Sequence, residues 1–174
     1  MIYLVTHTFR EGGPNPSLTD KGMALLSRKT MASMVHFIRF EKKTKIVYRG
    51  IGRRFRETCD AYREELRGLE IKSSHLFGTG ESRTDIEGEG DVVITADGHV
   101  IPGREYVSLA DFPGLSWQVL YYLPPGTIIF TGRDFCRGIG LESQSGSIYE
   151  ADECRQKIIT LVNGGTHLRQ PSVL

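Results

Sequence analysis

Two short runs constrain this chain more than any other feature. Ile2-Tyr3-Leu4-Val5 and Ile128-Ile129-Phe130 are apolar almost throughout, with no alternation of wet and dry positions. A strand with one solvated face alternates; an unbroken apolar run must be covered on both faces, as in a parallel sheet between layers of helices. Lys45-Ile46-Val47-Tyr48 predicts a further strand of this kind.

The segments between these runs have helical character. Ser17 or Thr19 is placed to cap a helix running to about Phe40, with Met23, Leu26, Thr30, Met34 and Phe37 on one face. A second helix is expected from about Arg53 to Arg67, stopped by Gly68, and a third from Pro113 to Leu123 with Leu115, Val119 and Tyr122 sharing a face. Glu70 to Phe77 is expected to hold another strand, and Ser147-Ile148-Tyr149 and Lys157 to Val162 a closing pair. Val92 to Thr95 and His99 to Ile101 flank Ala96-Asp97-Gly98, a hairpin signal. The four glycines and several acids of residues 78 to 90 predict a loop.

The expected fold is therefore an α/β, three-layer domain with a mainly parallel central sheet flanked by helices, and a β-hairpin added at an edge. The first strand should lie inside the sheet, with the strands ending near Tyr48 and Thr131 as its neighbours. Length and the absence of a linker predict one domain over residues 1 to 174. No apolar run approaches the roughly 18 residues that span a bilayer, and Ile2-Tyr3-Leu4-Val5, too short and without basic residues beside it, is expected to be a strand and not a signal peptide. The three cysteines form no Cys-x-x-Cys pair, and their odd number argues against a disulfide framework and for a reducing cytoplasm.

In a parallel sheet, ligands collect outside the carboxyl ends of the strands. Three such ends carry Thr6-His7-Thr8, Arg49-Gly50 leading into Arg53, Arg54 and Arg56, and Thr131-Gly132-Arg133-Asp134. Residues 1 to 67 hold 14 Lys and Arg against 7 Asp and Glu, so the basic residues concentrate where two of these ends lie. A histidine and several arginines on one rim suggest a phosphate or carboxylate site; a solvated basic helix face is the plain alternative.

Other chemistries find less support. Gly78-Thr79-Gly80 and Gly138-Ile139-Gly140 lack the third glycine of a dinucleotide fingerprint. No cysteine has an arginine six residues on, as a cysteine phosphatase loop would need, and His36, His75, His99 and His167 show no metal-ligand spacing. The basic helix bearing Phe37 and Phe40 has no nucleic-acid motif beside it.

The order Thr6-His7-Thr8, Leu18-Thr19-Asp20-Lys21-Gly22, Ile46-Val47-Tyr48 and Arg54-Phe55-Arg56-Glu57-Thr58 resembles the histidine phosphatase (phosphoglycerate mutase-like) superfamily. That family opens on a strand ending Arg-His-Gly, continues with Leu-Thr-x-x-Gly, and places Arg-x-x-x-Thr after its second strand. Leu123-Pro124-Pro125-Gly126 through Gly132 is similar to the turn and strand leading to its second histidine. The resemblance implies that His7 attacks a phosphoryl group, that Arg54 neutralises its oxygens, and that Glu81 is the candidate proton donor. Arg10 and Arg133 are the candidates for further phosphate contacts. It implies no cofactor and no metal, and as partner a phosphorylated small molecule or phosphate anion, with neither nucleic acid nor membrane.

Three departures bear on activity. Thr6 and Thr8 flank His7 where the family has arginine and glycine, and Gly132 stands where its second histidine would follow the strand. The stretch from Gly132 to Gly146 is also short for the helix expected there. Losing one preorganised donor typically costs on the order of 10²–10³ in rate. The expected function is a phosphate-binding protein with weak or altered phosphomonoesterase activity through a phosphohistidine. The alternatives are an inactive relative that binds a phosphorylated ligand or a protein, and an unrelated α/β binding module. Thr6→Arg with Gly132→His is expected to raise the rate if the backbone keeps the family register.

Overall fold

The computed structural model describes residues 1–12, 16–78, 92–94, 100–102, 113–164 and 167–168. In chain order they form β1 (Ile2–Thr6), α1 (Asp20–Leu26), α2 (Lys29–Glu41), β2 (Ile46–Arg49), α3 (Arg53–Asp60), β3 (Glu70–Ser73), β4 (Val92–Ile94) and β5 (Val100–Pro102). They continue with α4 (Pro113–Tyr121), β6 (Ile128–Thr131), α5 (Arg133–Gly138), β7 (Ile148–Asp152), β8 (Lys157–Asn163) and β9 (His167–Leu168).

The main sheet runs β3-β2-β6-β1-β7-β8-β9. Its first four strands are parallel, and β7, β8 and β9 continue it antiparallel. All five residues of β1 and all four of β6 are buried, as their unbroken apolar character requires. Successive residues of β1 feed opposite cores. Tyr3 and Val5 pack with Met31, Val35 and Ile38 of α2 and Cys59 of α3; Ile2 and Leu4 pack with Trp117 and Leu120 of α4 and Phe135 of α5. This is the expected helix, sheet, helix sandwich, and the α/β three-layer class holds.

Several details differ from the expectation, among them the helix expected from Arg53 to Arg67, which ends at Asp60. β1 pairs with β6 and β7, while β2 lies one strand further out against β6. The long first helix is two: Arg28 is extended (φ −65°, ψ 137°), and α2 restarts with Met31, Met34, Val35 and Ile38 inward while Met23 is exposed. In α4 the buried face carries Trp117 and Leu120, and Leu115 and Tyr122 are exposed. The β4–β5 pair forms its own two-stranded sheet and not an edge of the main one. Thr19 does cap α1, its Oγ1 accepting from Gly22 N at 3.0 Å. No helix among the described residues is long and apolar enough to cross a membrane.

Candidate functional site

The parallel strands β1, β2 and β6 run side by side, so their carboxyl ends open onto one rim. His7 leaves β1 with its N–H bonded to Thr131 O of β6 at 3.2 Å, and Gly50, after β2, donates to Phe130 O at 3.0 Å. A pocket of about 480 Å³ opens there; His7, Arg10, Arg54 and Arg133 all line it. Four residues singled out from three separate stretches of sequence are thus brought together. Glu81, the candidate proton donor, lies outside the described residues, as does the turn of the expected hairpin.

His7 sits at the pocket floor. Its Nδ1 lies 2.7 Å from the carbonyl oxygen of Thr8. A carbonyl only accepts, so Nδ1 carries the proton and Nε2 keeps its lone pair. Burial pushes the imidazole pKa down to about 4; the Thr8 carbonyl opposes this, and the charges of Arg54, Arg10 and Arg133 add to it. A neutral imidazole with a free nitrogen at neutral pH has the protonation state of a nucleophile or hydrogen-bond acceptor.

Arg54 projects from the first turn of α3. Burial, and next the charge of Arg10, lower its pKa to about 10, while Asp134 acts in the opposite direction. It remains cationic at neutral pH. Its guanidinium carbon lies 4.3 Å from the Phe55 ring centroid, and its Nε is buried without a hydrogen-bond partner among the described residues. A half-buried cation with an unpaired buried donor suits an anion. Arg10 and Arg133 are exposed at the mouth.

The threonines flanking His7 hold definite places. Thr6 is 2% exposed; its Oγ1 donates to Gln144 O at 2.6 Å and accepts from Ser147 N at 2.9 Å. It pins the loop before β7, whose Gly146 N in turn donates to His7 O at 3.1 Å. Thr8 fits between two glycines: a Cβ on Gly22 would come within 2.7 Å of its Oγ1, and one on Gly146 within 2.9 Å of its Cγ2.

Sequence reasoning missed Phe55, Arg137 and the Ser143-Gln144-Ser145 loop as pocket residues. The loop carries no periodicity and reaches the site only because β7 returns antiparallel beside β1. Asp134 was placed on the correct strand end, and it is the one acid lining the pocket among the described residues.

No family model and no curated sequence matches the chain. Solved structures do share its fold. Phosphoserine phosphatase from Entamoeba histolytica, in complex with 3-phosphoglyceric acid, matches at 14% identity over 98% of this chain and 97% of that one, TM-score 0.52. YhfR of Bacillus stearothermophilus matches at 13% identity over 94% and 96%, TM-score 0.54. The mycobacterial glucosyl-3-phosphoglycerate phosphatase matches at 12% over 94% and 97%, TM-score 0.52. The likeness shows that the chain shares the fold of these three structures.

Proposed function

We propose that this chain binds phosphate or a phosphorylated small molecule at His7 and Arg54, with Arg10 and Arg133 as further contacts, and has weak or altered phosphomonoesterase activity. The observation that carries this reading is His7, with Nδ1 turned to the Thr8 carbonyl at 2.7 Å, sharing one pocket with four arginines. The match in fold to two phosphatases supports it.

In the mechanism this implies, His7 Nε2 attacks phosphorus and the ester oxygen leaves with the bond's electron pair. Water then attacks the phosphohistidine and releases phosphate. Arg54 offsets the charge on the equatorial oxygens. Glu81 is retained as the proposed proton donor to the leaving oxygen. We read residues 1–174 as one domain acting in the cytoplasm.

An inactive relative that only binds its ligand is the second reading. It is favoured by Gly132, which supplies no side-chain donor, and by Thr6, whose hydroxyl is committed to the loop before β7. An aryl phosphate separates the two, because its leaving group departs with little protonation. Slow turnover with a trappable phosphohistidine, both lost in His7→Ala, supports the first. Phosphate binding with no turnover and no phosphoenzyme leaves only the second.

A further inference from the structure

On α3, next to Arg54, stands a residue to which the proposed phosphate chemistry assigns no role. Phe55 is 1% exposed, and its ring meets the His7 ring edge-on, with centroids 5.5 Å apart and planes at 73°. The ring is enclosed by three positions without side chains. A Cβ on Gly50 would come within 2.5 Å of Phe55 Cδ2, and one on Gly78, where φ is +148°, would collide with the ring's far end. A Cβ on Gly132 would lie 3.2 Å from Phe55 Cε1 and 3.2 Å from both Cδ2 and Nε2 of His7. Gly132 is thus in close approach to both rings at once.

We infer that Phe55 is the positioning residue for His7, its ring occupying the space that Gly50, Gly78 and Gly132 leave open and holding the imidazole in place. His7 is then held at two points: Nδ1–H on the Thr8 carbonyl and the ring against Phe55. A Cβ at 132 fits only if the two rings give by a few tenths of an ångström. Phe55 also excludes water from the imidazole, and burial is the leading cause of its neutrality. The other groups acting on that charge are Arg54, Arg10 and Arg133, which oppose protonation, and the Thr8 carbonyl, which favours it.

The role matters for catalysis only if the proposed function holds, but its test needs no substrate. The His7 ring is titrated by NMR in the wild type, Phe55→Leu and Phe55→Ala, with the His36 and His75 signals as checks that the fold persists. In Phe55→Ala the midpoint should climb from about 4 toward the ordinary 6.5 as water reaches the ring. Phe55→Leu, which keeps most of the apolar bulk, should stay near the wild-type value. Gly132→Ala should lower the melting temperature in the wild type and much less beside a smaller residue at 55. An unchanged midpoint in folded Phe55→Ala overturns the inference. If that variant does not fold, the cycle of Phe55→Leu with Gly132→Ala decides: a smaller Gly132→Ala loss in the Phe55→Leu background supports the inference, and equal losses in both backgrounds overturn it. A wild type without affinity for phosphate would remove the proposed function and leave this result standing.

Discussion

The floor and the rim of the pocket are built differently. The floor (Thr6, His7, Thr8, Arg54, Phe55) is buried or half-buried, and its members are held by backbone bonds and ring contacts. The rim (Arg10, Arg133, Asp134, Arg137) is exposed, and Arg137 forms a long ion pair with Glu142, at 3.7 Å. In the floor, position and protonation state are fixed by packing. At the rim the same residue types act as screened charges. One arginine in the floor should therefore outweigh one at the rim.

The largest disturbance should come from replacing a floor residue by one that suits the family pattern. Thr6→Arg removes a hydroxyl with two backbone partners and forces a long cation into a site that is 2% exposed. A loss of about 2–5 kcal/mol follows from overpacking and an orphaned Ser147 N–H, measurable by urea unfolding. Restoring the family residues at 6 and 132 should thus cost stability before it adds any rate.

Next in size is a pH effect. The folded state holds the His7 pKa near 4 against 6.5 for the free side chain, so between these values the unfolded chain binds a proton that the folded one does not. Stability contributed this way is intact above pH 6.5, declines as pH falls, and levels off below about 4. The full difference is about 3 kcal/mol. Urea midpoints compared at pH 7 and pH 5 should show part of this loss in the wild type and less of it in His7→Asn.

The smallest effect belongs to the rim. Arg133→Ala should weaken phosphate binding only about two- to fivefold, as exposed charge pairs do, and raising salt should shrink the difference further. A tenfold or larger effect at high salt would erase the distinction between floor and rim.

Much of the floor was legible in the sequence because local signals marked it. Unbroken apolar runs announced β1 and β6, and strand-end chemistry placed His7, Arg54 and Arg133 in one site at the carboxyl ends of the strands. The rest was set by tertiary packing. Met31, Val35 and Ile38 turn inward because α2 restarts after the extended Arg28, which no periodicity count across the break foresees. No local signal marks Phe55, whose place is set by Gly50, Gly78 and Gly132 converging on it from three separate segments. Thr6 looked like a lost arginine, and its bonds to Gln144 and Ser147 exist only because β7 pairs with β1.

The most direct test of the account is calorimetric titration of phosphate or vanadate into the wild type and Arg54→Ala at moderate salt. A charge-assisted hydrogen bond from a half-buried guanidinium contributes roughly 1.5–3 kcal/mol. Affinity should therefore fall by about ten- to a hundredfold in Arg54→Ala, while the melting temperature changes little. Equal affinity in the two proteins, or none in the wild type, would contradict the claim that His7 and Arg54 form an oxyanion site.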